Sequence, residues 1–159
     1  MLQYETVPVT PFQQNCSIVW CDDTKDAAII DPGGDLAVLL AAIQQLGVTL
    51  KQIWITHGHI DDAGATGELA ERLQLPIIGP HEGDQFWIDG LPDAAANYGF
   101  PPAKAFTPTR WLHDGDTVTI DVDARRLDVD LTDEEIARRI EAYEIVVSPD
   151  STGVLRKYA

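Results

Sequence analysis

Gln52-Ile53-Trp54-Ile55-Thr56-His57-Gly58-His59-Ile60-Asp61-Asp62-Ala63-Gly64 opens as a short apolar run and turns abruptly into histidine and carboxylate. Its first five residues, Gln52–Thr56, read as a buried strand, because β-branched and aromatic side chains crowd into a run too short for a helix. Upstream, Ala27 to Ile30 is a similar apolar run, broken by Asp31-Pro32-Gly33-Gly34-Asp35, which can cap the next element. Leu36, Leu39, Leu40, Ile43 and Leu46 then recur at helical spacing, and Gly47 closes that helix. Downstream, a second helix carries Leu69, Ala70 and Leu73 and ends before Pro76, and Pro76-Ile77-Ile78-Gly79 is a short strand. The order from Ala27 to Gly79 is therefore strand, helix, strand, helix, strand, which predicts an α/β (α+β) fold with helices packed on a sheet. Leu2 to Val9 and Cys16 to Cys21 add two strands around the loop Thr10–Asn15, while Pro80 to Thr109 reads as short helices and loops.

The histidines and carboxylates sit in the loop between a predicted strand and a predicted helix. In an extended segment residues i and i+2 project to the same side, so His57 and His59 can converge on one ion. Imidazole nitrogen with carboxylate oxygen from Asp61 and Asp62 suits zinc, and also iron or manganese. Gly58 allows a tight path, Ala63-Gly64-Ala65 lets the helix start lie close, and the helix N-terminus adds a positive field that favours anions. The plainer alternative is that Asp61 or Asp62 caps the helix and both histidines face solvent. His81 and His113, the remaining histidines, are expected on the surface, and Asp31 is as readily a turn cap as anything else.

At 159 residues the chain suits one domain or a domain with a small appendage. Its formal net charge of −15 argues against nucleic acid and against anionic membranes. No apolar run approaches the ~20 residues that span a bilayer, so the expected compartment is the cytoplasm. Cys16 and Cys21 fall on opposite faces of one strand, where a disulfide is geometrically poor, and are expected as buried free thiols.

Thr56-His57-Gly58-His59-Ile60-Asp61-Asp62 resembles the T-H-x-H-x-D-H signature of the metallo-β-lactamase superfamily. Gln14-Asn15-Cys16, Ile30-Asp31-Pro32-Gly33-Gly34, Ile78-Gly79-Pro80 and Trp111-Leu112-His113-Asp114-Gly115-Asp116 extend the likeness, to glyoxalase II-like hydrolases, over residues 1–116. The resemblance implies half of an αββα sandwich and metal-hydroxide hydrolysis of a thioester or similar acyl bond. By position His57 and His59 bind a first zinc, and Asp61 binds a second metal and takes a catalytic part. Asp62 stands where the family has a histidine ligand. The family's remaining histidines and bridging aspartate come from its second half, and no histidine follows His113 here.

From about Leu112 the texture changes. Val118–Val122 and Leu127–Leu131 alternate, and Thr132-Asp133-Glu134-Glu135 is a capping box that starts a short helix. With Ala124–Val129 and Thr152–Ala159, this stretch is similar to the C-terminal end of dihydroxy-acid dehydratases, whose cluster cysteines and catalytic serine lie outside the matched part. A fused chain divided into residues 1–116 and 117–159 is expected, with a short β-β-α tail; one divergent hydrolase is the alternative. The functional expectation is a metal-dependent hydrolase scaffold for a small-molecule thioester, with an incomplete site; the alternative is a fold or interaction module without turnover. Leaving half of Ile18, Trp20, Ile29, Ile53, Trp54 and Ile55 exposed would make an apolar face that the tail covers only in part, so a homodimer is expected.

Overall fold

Alternation along each strand sends neighbouring residues to opposite sides of a sheet, and here it sorts four isoleucines into one buried row. The computed structural model describes residues 1–116 and the two strands β7 (Thr119–Asp121) and β8 (Arg126–Asp128). The first six strands form one sheet in sequence order: β1 (Leu2–Val9), β2 (Gln14–Cys21), β3 (Asp26–Ile30), β4 (Thr49–Trp54), β5 (Ile77–His81) and β6 (Arg110–Leu112). β1, β2 and β3 pair antiparallel, and β3 to β6 pair parallel, as the predicted strand–helix–strand order requires. β7 and β8 pair antiparallel with each other; β7 lies inside the expected strand Val118–Val122, and β8 begins one residue before the expected strand Leu127–Leu131. The chain divides into two compact units: Met1–Asp114 belong to the first, and Gly115–Asp121 with β8 belong to the second. The predicted helix after Thr132 lies outside the described residues.

Ile18, Ile29, Ile53 and Ile77 are paired across β2, β3, β4 and β5, and all four are buried. The helices α1 (Leu36–Leu46), α3 (Thr66–Leu73), α4 (Gln85–Asp89) and α5 (Leu91–Tyr98) pack on that row through Leu39, Leu69, Ile88, Leu91 and Ala95. Each fully buried side chain of this size contributes about 1.5–3 kcal/mol. Gly47 closes α1 at φ 65°, as expected for a glycine C-cap. Asp35 stands at the N-cap of α1 but its side chain does not cap it; the carboxylate instead accepts the Thr10 N–H at 2.8 Å.

The face expected to lie open is corrected by the same alternation. Ile18, Ile29, Ile53 and Ile55 belong to the helix-packed core and Trp20 packs against it, because residues two apart share a side. Of the six, only Trp54 joins the opposite row, with Ser17, Ile30 and Ile78, all half-buried. These six therefore do not form the exposed patch on which the expectation of self-association rested. Cys16 and Cys21 are free, but Cys21 is half-buried rather than buried.

Two departures from the expected elements shape the site. The ladder continues through Ile55, whose N–H bonds Ile78 O, but Thr56 leaves it because its N–H goes to the Asp31 carboxylate. The loop expected over 57–64 contains a one-turn helix, α2 (Ile60–Ala63), begun when the His59 carbonyl accepts the N–H groups of Asp62 and Ala63.

The loop after β3 and α2 touch backbone to backbone. A Cβ at Gly33 would lie 1.5 Å from the Asp61 carbonyl oxygen, and neither partner is a side chain that can rotate away. Gly33→Ala is therefore expected to cost about 3 kcal/mol, the upper part of the ordinary overpacking range. A denaturant midpoint unchanged from the parent protein would show that the contact is not fixed in solution.

Candidate metal centre

His59 stands at the N-cap of α2 in an extended conformation, which continues the extended path from β4 and keeps His57 on the same side. The two rings meet edge to face, with centroids 4.6 Å apart. Asp62, in the single turn of α2, is buried and turns back so that Oδ2 lies 3.0 Å from His57 Nε2. One ligand atom from each of His57, His59 and Asp62 lies within 4.8 Å of the others. Asp61 is not in this trio. Successive helical residues point about 100° apart, and Asp61 lines the neighbouring cavity beside His59 instead. His81 and His113 are exposed, as expected, with ring centroids 6.3 Å apart, and they pair with Asp114 and Glu82 rather than with the trio.

Behind His57 stands a relay. The buried Asp31, at φ 52°, accepts the Thr56 N–H at 2.8 Å and the Thr56 hydroxyl at 2.7 Å. Thr56 Oγ1 lies 3.0 Å from His57 Nδ1. Its one hydrogen is committed to Asp31, so Oγ1 is left to accept from Nδ1–H. That fixes the tautomer that offers Nε2 as a ligand. Asp31 is thus a site-positioning residue rather than a turn cap. Burial raises its carboxyl above the ordinary range, against the lowering effect of both Thr56 bonds. Asp84 was not legible in the sequence: its carboxylate accepts the Gly58 N–H at 2.8 Å and pins the loop between the two histidines. Its signal would have been an acidic residue before a predicted helix, which is common on any surface. Cys16, by contrast, is no candidate nucleophile, since burial pushes its thiol up to about 12.

Two imidazoles and one carboxylate with open positions form a donor set used by catalytic zinc and by non-haem iron. The metallo-beta-lactamase superfamily model matches residues 9–145. The chain belongs to that superfamily. The match runs past residue 116, where the sequence resemblance ends. Hydroxyacylglutathione hydrolase GloC of Haemophilus influenzae is 43% identical over 121 residues, which are 76% of this chain and 57% of the relative. The crystal structure of TTHA1623 in a di-iron-bound form superposes with a TM-score of 0.62 at 33% identity, covering 70% of this chain and 55% of that one. The chain thus spans little more than half the length of each of these two relatives. Dihydroxy-acid dehydratase 2 of Bordetella bronchiseptica is 47% identical over 62 residues, 39% of this chain and 11% of the relative. The superfamily explains the conjunction seen here, a metal-binding scaffold at the carboxyl end of a parallel strand. No helix among the described residues is long and apolar enough to cross a membrane.

The hydrogen bond that His57 donates to the Asp62 carboxylate raises the His57 pKa above 6.5, with burial working against it. A raised histidine pKa means that the native metal-free protein binds the proton more tightly than the unfolded chain. The resulting stabilisation is complete below pH 6.5 and fades as pH rises through the native value. NMR titration of metal-free protein should show His57 above 6.5 and Asp62→Asn returning it toward that value. An unshifted His57 in the parent protein would mean that the pair is broken in solution.

Proposed function

We propose that this chain is the metal-holding part of a hydrolase acting on a thioester or a related acyl bond. One zinc or iron ion is held by His57, His59 and Asp62. The observation that carries this reading is the convergence of the three ligand atoms within 4.8 Å at the β4–α2 junction. The likeness to a hydroxyacylglutathione hydrolase supports the substrate class. When bound, the ion supplies a Lewis acid that polarises a carbonyl and makes water nucleophilic near neutral pH.

The chain's own residues supply orientation and proton transfer. Thr56, held by Asp31, fixes the His57 ring, and Asp84 fixes the backbone between the histidines. Asp61 is the general base in this reading, a carboxylate on the cavity side of His59. Asp62, where the family resemblance expects histidine, serves here as the third ligand to the same ion. The tail, residues 117–159, is an appended segment, a reading supported by the dehydratase likeness.

The second reading, a metal-binding module without turnover, is favoured by a sequence fact: Asp62 stands where the family resemblance expects a histidine ligand of the second metal. Two measurements separate the readings. Purified without chelator, the protein should carry about one equivalent of zinc or iron, and His57→Ala or Asp62→Ala should weaken that binding beyond the ~10–100-fold typical of an outer-shell change. Asp61→Ala should keep the metal while thioester hydrolysis falls by about 10²–10⁴, the usual worth of a general base. Full metal without hydrolysis in the parent protein would favour the module. Metal-free protein that resists loading would remove both readings.

A further inference from the structure

The cavity that shares His59 with the metal centre has a wall chemistry of its own. It encloses about 520 Å³ within the first unit. Four of its lining residues are aromatic side chains left substantially exposed: Phe12, Phe86, Trp87 and Tyr98, between 45% and 66% accessible. Large apolar groups grouped at one concave site, rather than scattered, mark a place where a ligand completes the burial.

The rings are arranged rather than merely adjacent. Trp87 meets His59 edge to face at 4.8 Å, Phe86 lies 4.8 Å from Trp87, and Phe12 meets Tyr98 edge to face at 6.3 Å across the opening. Gly58 permits the contact with the metal loop, since a Cβ there would lie 2.8 Å from Trp87 Cβ. Among the described residues the charged lining groups are the carboxylates Asp61 and Asp93, and none of the described lysines or arginines lines the cavity. Ring faces together with carboxylates attract a cation and tolerate a neutral ring, while they repel an anion.

We infer that this cavity binds an aromatic group that carries no negative charge, and that this group is the acyl part of the substrate. The second clause rests on the hydrolase reading. Because His59 belongs to both the cavity and the metal trio, an acyl chain laid against Trp87 reaches the metal centre with its carbonyl. Water adds to that carbonyl carbon, the carbon–sulfur bond breaks, and a carboxylic acid and a thiol result. An acyl group with its own carboxylate, or a thioester whose anionic tail must enter here, is disfavoured by Asp61 and Asp93.

Calorimetric titration of the purified protein with 2-phenylethylamine and with phenylacetate tests the cavity without turnover. The amine should bind at least about tenfold more tightly than the acid, a difference of about 1.4 kcal/mol. Asp93→Asn should shrink that preference severalfold, and Phe86→Ala, at an exposed position, should weaken the amine while leaving the fold intact by circular dichroism. Equal binding, tighter binding of phenylacetate, no binding of either, or an unaffected Phe86→Ala would overturn the inference. A parallel assay compares the N-acetylcysteamine thioesters of phenylacetate and of succinate. Faster turnover of the phenylacetyl thioester supports the acyl assignment, and faster turnover of the succinyl thioester overturns it while the hydrolase reading stands. Binding with the expected preference and no turnover of either thioester retires the hydrolase reading and the acyl assignment together, leaving the aromatic site established.

Discussion

The hydrogen bonds from Thr56 to the buried carboxylate of Asp31 join the ends of two neighbouring parallel strands. A carboxylate so enclosed is costly to desolvate unless its oxygens are satisfied, and the backbone N–H and hydroxyl of Thr56 satisfy both. The same bonds pull Thr56 out of the ladder and direct the chain into the extended path that carries His57 and His59. Without that departure the chain would continue as strand, and the histidines would project from a sheet edge rather than gather above α2.

Under the proposed function, Asp62 would change the count of ligands without emptying the site. In the family resemblance its position belongs to a second metal; here the buried side chain reaches His57. A carboxylate in place of an imidazole makes the donor set harder and more anionic, which suits an ion that keeps open positions for substrate and water. The helical turn that brings Asp62 inward sends Asp61 outward, so two adjacent carboxylates occupy different chemical settings. Under the proposed function one would hold the ion and the other would face the cavity, a division that environment rather than residue type decides.

Much of this architecture is legible in the sequence, for identifiable reasons. The isoleucine runs and the Leu36–Leu46 spacing announce sheet and helix because burial imposes period 2 and period 3.6 on residues that must face a core. His57, Gly58 and His59 announce a ligand pair because their spacing is local. The features that stay hidden depend on contacts distant in sequence. The choice between Asp61 and Asp62 turns on a single helical turn inside a segment that reads as loop. The Asp84 contact with Gly58 spans 26 residues, and no local pattern requires it. Hydrophobicity alone groups Ile53 with Trp54, although a strand sends these neighbours to opposite faces, and the expected open patch fails for that reason.

The segment from Asp31 to Asp35 has a wider reach than its five residues suggest. Its first carboxylate holds Thr56 and thereby the histidine loop. Its last accepts the Thr10 N–H, and Thr10 Oγ1 in turn accepts the Phe12 N–H at 3.3 Å, so the turn that carries Phe12 to the cavity mouth hangs from the same loop. The histidine loop and one wall of the cavity therefore share one mechanical anchor. Under the proposed function, a lineage that reshaped this loop to admit a new substrate would disturb its ion, and one that retuned its ion would shift its substrate. Diversification of this scaffold is accordingly easier through α4 and α5, which supply Phe86, Trp87 and Tyr98 and hold none of the three ligands.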